Sequence, residues 1–239
     1  NGDVSLWVVC SVTDMNSMFG NAYNFIGASA YWDVSSVTNM SSMFSVTEIF
    51  NGDLSTWDVS SVTKMNRMCA NTSSFNGDLS SWDVSSVTTM RVMFAGASSF
   101  NGDISSWDVS SVTNMSWMFD NASSFNNDLS AWDVSSVTDM GSMLNNTALS
   151  EENQCLIHTS FSSNSAWPYD WSEFCTDVAF QPQTSAELQT AVDLWISDNA
   201  TALSTYGEIN TWDLSLITDM FELFRETDFN DDISAWDVS

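Results

Sequence analysis

Apolar positions along this chain recur every 25 residues, in register over six successive turns. Tryptophan holds one row, Trp7, Trp32, Trp57, Trp82, Trp107 and Trp132, and methionine holds two, Met15 to Met140 and Met18 to Met143. A fourth row reads Phe19, Phe44, Cys69, Phe94, Phe119, Leu144, and a fifth Phe25, Phe50, Phe75, Phe100, Phe125. A fixed period of this length marks an array of units that bury their apolar faces only against one another. Trp32, Trp57, Trp82, Trp107 and Trp132, with Met65, Met90 and Met115, are the expected core rows.

Within one unit the spacing of Leu79, Trp82 and Val84 parallels the strand segment of leucine-rich repeats. Strand alternation would turn Trp82 and Val84 inward and Asp83 outward. Thr88 is placed to cap a short helix whose face carries Met90, Met93 and Phe94. An Asn-Gly-Asp turn then leads into the next unit. The expected fold is a leucine-rich-repeat-like solenoid, with one short parallel β-strand and one short helical or 3₁₀ segment per 25-residue coil. The pattern stops after Ser150. From Thr184 the apolar positions Leu188, Ala191, Val192 and Trp195 line one face, and Thr184 with Glu187 forms a capping box, which predicts a capping helix over 184–198. The repeat resumes with Ile209, Trp212, Met220, Phe224, Phe229 and Trp236. The expected organisation is six coils in 1–150, a disulfide-containing C-terminal cap in 151–177, a cap helix of a second module in 178–207, and the start of its coils in 208–239. Asn1 and Ser239 both fall inside repeats, so a piece of a longer polypeptide is expected.

Charge narrows the partners. With 31 acidic residues and only Lys64, Arg67, Arg91 and Arg225 as cations, the formal net charge is −27. Such a chain cannot neutralise phosphates, which argues against nucleic acid and anionic membranes. No apolar run reaches the ~20 residues of a membrane span.

The strings WDVSSVTNMSSMF at Trp32–Phe44 and FNGDIS at Phe100–Ser105 resemble the BspA-like surface-protein repeat, a relative of the leucine-rich repeat. The resemblance covers about 1–150 and 208–239. It implies an extracellular or surface-bound protein linked to adhesion, and it carries no catalytic residues with it.

Two acidic rows follow the period. Asp33, Asp58, Asp83, Asp108 and Asp133 form the first, with Asp213 and Asp237 in the second module; Asp53, Asp78, Asp103 and Asp128 form the other. Regular hard oxygen ligands make Asp58, Asp83, Asp108 and Asp133 candidate Ca²⁺ ligands, against the simpler reading that each caps its own turn. No other cofactor is implied. Cys155 and Cys175 are placed to form a disulfide, which suits an extracellular cap too small to build its own core. Asn39, Asn71, Asn114, Asn121, Asn145 and Asn199 stand in glycosylation sequons. His158 is the single histidine, and repeated carboxylates do not make the one asymmetric pair that acid–base catalysis needs. The expectation is therefore no enzyme. It is an extracellular architectural component of a cell surface or fibre, self-associating end to end or through strand edges. The alternative is an adhesin that binds glycan or protein through an Asp/Ser-lined sheet face; ice binding through the Thr13–Thr138 row ranks lower.

Overall fold

The computed structural model describes residues 4–27, 31–176 and 180–236. It forms two compact units, Asn1–Trp171 and Ser172–Ser239.

In the first unit, the Met–Phe segment of each coil sends every second N–H to the next coil. Met15, Ser17, Phe19 and Asn21 donate to the carbonyls of Asn39, Ser41, Met43 and Ser45 at 2.8–2.9 Å. The intervening N–H groups of Met18, Gly20 and Ala22 close tight turns onto Met15, Ser17 and Phe19. A second ladder runs the other way: the N–H groups of Thr38, Thr63, Thr88, Thr113 and Thr138 donate to the threonine carbonyl of the preceding coil at 2.8–3.0 Å.

This arrangement overturns the expected strand-and-helix coil. Among the described residues there is no β-strand. The coils meet through isolated parallel bridges, one per step: Asp14–Asn39, Asn39–Lys64, Lys64–Thr89, Thr89–Asn114 and Asn114–Asp139. The three α-helices among the described residues all lie after Ser150. The cause is local. Each coil carries left-handed residues four positions apart, such as Ser42 and Val46 (φ 57° and 60°), Arg67 and Asn71, or Trp117 and Asn121. A left-handed residue at that interval breaks both an extended run and the i→i−4 pattern of a helix. Thr88 caps no helix; its N–H and hydroxyl both go to the Thr63 carbonyl. The unit is a stack of turn-built coils, not a leucine-rich-repeat solenoid.

The period-25 rows line its interior. Trp32, Trp57, Trp82, Trp107 and Trp132 are buried, as are Met65, Met90 and Met115. Trp82, Trp107 and Trp132 stack in series with ring centroids 6.4 Å apart and planes within 4°. Phe50, Phe75, Phe100 and Phe125 do the same at 6.0–6.1 Å. A buried indole N–H needs an acceptor. It finds one 28 residues back: Trp32 donates to the Val4 carbonyl, Trp82 to Leu54, Trp107 to Leu79 and Trp132 to Ile104.

The last coil is closed by α1 (Glu151–Phe161), whose N-cap Ser150 accepts from the Asn153 N–H. Ile157 and Phe161 bury fully against the stack. The cap also takes over the ladder. Leu144 N–H stands where Phe119 N–H donates to Met143, and it donates instead to the Tyr169 hydroxyl at 2.8 Å. Asn164 Nδ2 donates to the carbonyls of Val134 and Val137.

In the second unit, α2 (Ser185–Ser197) starts at the N-cap Thr184, which accepts from the Glu187 N–H. It is followed by α3 (Asn199–Tyr206). Leu188, Ala191, Val192 and Trp195 pack with Ile209, Trp212, Leu214 and Leu223 in one core. Trp212 and Trp236 stack at 6.2 Å, and the Trp236 indole donates to the Ile209 carbonyl. No helix among the described residues is long and apolar enough to cross a membrane.

Candidate interaction surface

The outward rows are largely committed to their own turns. Asp33, Asp58, Asp83 and Asp108 each accept, on Oδ1, the N–H and the hydroxyl of the Ser two residues on, with hydroxyl contacts of 2.6 Å. The second acidic row repeats this at Asp53, Asp78 and Asp103. The Ser hydroxyl, then the Ser N–H, hold the carboxyls of Asp33, Asp53, Asp58, Asp78, Asp108 and Asp133 below their usual range. The neighbouring carboxylate on an adjacent coil pushes Asp58, Asp53 and Asp108 the other way, but less. Hydrogen bonds to the charged form within each turn win over repulsion between coils.

Asp58, Asp83, Asp108 and Asp133, the candidate Ca²⁺ ligands, stand one to a coil and do not converge. Among the described residues no three His, Cys, Asp or Glu side chains are grouped to hold a metal. Asp213 makes the same turn with Ser215 in the second unit; Asp237 lies outside the described residues.

The remaining rows are also engaged. Asn76, Asn101 and Asn126 donate backbone N–H to the side-chain oxygens of Asn51, Asn76 and Asn101 at 2.8–2.9 Å. Thr38, Thr63, Thr88, Thr113 and Thr138 donate their hydroxyls to the preceding coil's carbonyl at 3.1 Å. That removes the free hydroxyl array that ice binding requires. Among the sequon residues, Asn39 and Asn114 spend Nδ2 on Asp14 and Asp139, Asn121 on Asp120, and Asn145 accepts from Tyr169. Asn71 and Asn199 are exposed. Asn71 lies so close to Gly96 that a Cβ there would meet its Oδ1 at 2.3 Å, so a side chain at 96 would require the Asn71 amide to shift; the left-handed φ of 70° is itself shared by Val46, Asn71 and Asn121 in the other coils.

Cys155 and Cys175 are disulfide-bonded. Cys10 is a free exposed thiol, and Cys69 a free buried one whose burial pushes its pKa well up. His158, half-buried in α1, accepts the Trp167 indole N–H on Nδ1 at 3.1 Å. An open polar groove between the last coil and the cap, lined by Ser130, Asp133, Ser135, Ser163 and Asn164 among others, has no His or Cys in its lining.

One edge departs from the repeat. The bridge row reads Asp14, Asn39, Lys64, Thr89, Asn114, Asp139, and two further rows read Asn16, Ser41, Asn66, Arg91, Ser116, Gly141 and Ser17, Ser42, Arg67, Val92, Trp117, Ser142. All three cations of the first unit therefore fall on one edge, in two adjacent coils. Arg67 N–H donates to the Arg91 carbonyl at 3.0 Å, and Arg91 lies over the Trp117 ring, 4.9 Å from its centroid. None of the three makes an ion pair with a described carboxylate, whereas Arg225 in the second unit pairs with Glu222 and Glu226. Arg67, Val92 and Trp117 also occupy left-handed backbone (φ 57°, 63° and 55°), where Ser stands in other coils. Left-handed backbone costs a residue with a Cβ about 1–2 kcal/mol, and a β-branched or bulky side chain is least suited to it. Val92 and Trp117 thus fit that backbone less well than the Ser they replace, as does Val46 in the row four positions on. The signal was present in the sequence as Lys64, Arg67, Arg91 and Trp117, among others, breaking otherwise Ser-, Asn- and Asp-rich rows.

A family model described as Mycoplasma protein of unknown function, DUF285, matches residues 1–86, 52–160 and 194–239, more than half of the chain. The chain belongs to this family. No curated protein and no solved structure matches. The expected resemblance to the BspA-like leucine-rich repeat is corrected accordingly: the matched family is DUF285, and the strand on which that repeat depends is absent among the described residues. The functions built on it go too. With no sheet among the described residues, there is no sheet face for an adhesin and no strand edge to pair, and the architectural solenoid reading loses its structural element.

Proposed function

We propose that this DUF285 chain acts outside the cell, without catalysis, by associating with copies of itself. The carrying observation is the surface just described. Outside the cationic edge, its Asp turns and Thr ladder recur every 25 residues and are engaged alike in most coils, so it offers a periodic face instead of one asymmetric reacting centre. A partner with the same period, a second copy, meets such a face over many coils at once. The Trp167 indole on His158 and the Ser partners of each Asp leave these groups in structural roles. The disulfide-bonded Cys155 and Cys175 support an oxidising compartment. Sedimentation velocity of the purified chain over a wide concentration range tests association. A species that grows with concentration is expected, and a monomer at every concentration and salt refutes it. Fractionation of the source cells, with non-reducing mass analysis of the disulfide, tests the compartment; a reduced pool confined to the cytosol refutes it.

A further inference from the structure

We infer that the edge bearing Lys64, Arg67, Arg91 and Trp117 is the docking surface for the Asp83–Asp108 row of a second copy. This deepens the self-association reading and rests on it. The first argument is charge. Three cations without a described ion-pair partner sit together on a chain of net charge −27, so their countercharge comes from elsewhere. The chain itself is the richest source of carboxylates at hand.

The second argument is period. Lys64 bridges Thr89, and the Arg67 N–H bonds the Arg91 carbonyl, so Lys64 and Arg67 stand on one coil and Arg91 on the next. Asp83 and Asp108 are likewise one coil apart, and the spacing agrees because both rows are set by the same ladder. Each of these carboxylates has Oδ1 committed to Ser85 or Ser110. The turn therefore fixes its orientation, and Oδ2 is the oxygen offered outward. On the other side, the Trp117 ring holds Arg91 in place, so less side-chain freedom is lost on docking.

The third argument is selection against local preference. Val92 and Trp117 replace Ser in left-handed backbone, which suits a β-branched or bulky side chain least. Residues that oppose their local conformation concentrate where function requires them.

The charge balance yields a distinctive salt signature. Two copies repel at long range, and that repulsion is screened once the Debye length falls from ~30 Å at 0.01 M salt to ~8 Å at 0.15 M. At 1 M, with a Debye length of ~3 Å, the contact pairs themselves weaken. Association is expected to peak at intermediate salt; an apolar contact would strengthen steadily instead.

Sedimentation velocity of the full chain, with circular dichroism to confirm folding, decides the matter. Arg67→Glu with Arg91→Glu is expected to weaken self-association at least ~10-fold. Asp83→Lys with Asp108→Lys is expected to do the same, and mixing the two variants restores a mixed complex. Asp83→Asn with Asp108→Asn keeps the Oδ1 acceptors of both turns while removing the charge, so it weakens association without disturbing the fold. If the parent associates and these variants match it, the edge is not the docking surface, although self-association stands. If the parent stays monomeric in all salts, the broader reading fails with it. If a monomeric parent binds a sulfated polysaccharide through Arg67 and Arg91, the edge belongs to that partner and the inference is overturned.

Discussion

Trp107→Ala is the most direct probe of what holds the stack together. The indole is 3% exposed, lies between Trp82 and Trp132 with centroids 6.4 Å away on either side, and donates to the Leu79 carbonyl at 3.0 Å. Truncating a buried aromatic to Ala costs about 3–5 kcal/mol through lost burial and the cavity left behind. The Leu79 carbonyl loses its partner, which adds about 1 kcal/mol. A total near 5 kcal/mol is comparable with the whole stability of many domains. Trp7→Ala supplies the control. That indole is 50% exposed and among the described aromatic rings stacks on Trp32 alone, so about 1–2 kcal/mol is expected from its smaller buried area. Urea unfolding followed by circular dichroism measures both. Because each coil contacts only its neighbours, hydrogen exchange in Trp107→Ala should quicken around Leu79–Trp132 and leave the core at Leu188–Leu223 unchanged. A loss below about 2 kcal/mol for Trp107→Ala, or equal losses for the two variants, would refute the claim that the stacked indole row is the main source of cohesion.

Ser110→Ala removes the largest cause that holds the Asp108 carboxyl low, so its NMR titration midpoint should move up; an unmoved midpoint would show that the turn does not set it. Since the folded-state values of these Asp residues lie below the unfolded ones, their stabilisation is present above about pH 4 and is lost as pH falls through the folded values. Acid titration of the parent monitored by circular dichroism should show that direction, and stability rising as pH falls through this window would contradict it. Tyr169→Phe deprives Leu144 N–H of its acceptor and Asn145 of a donor. A loss of about 1–2 kcal/mol is expected, with faster exchange of the Leu144 amide; an unchanged amide would remove the hydroxyl from the cap. Cys10 should react with a thiol reagent in the folded protein and Cys69 only on unfolding, since one is exposed and the other buried with its pKa raised. Equal rates in native buffer would contradict the burial.

The sequence alone determined the period, because each row must repeat wherever one coil packs on an identical one. It also determined which side chains share a row, the one-sided charge balance, and the helix after Thr184, whose cap and apolar face are local features. It did not determine the backbone of the coil. Alternation at Trp82–Val84 and the Met90–Phe94 spacing fit a strand and a short helix, but the left-handed residues at Arg67, Val92 and Trp117 carry no glycine to announce them. They are imposed by N–H groups that reach the next coil, a tertiary demand that overrides local preference. The docking edge has the same origin: Lys64, Arg67, Arg91 and Trp117 lie up to 53 positions apart in sequence, and only the stacking of coils brings them onto one surface.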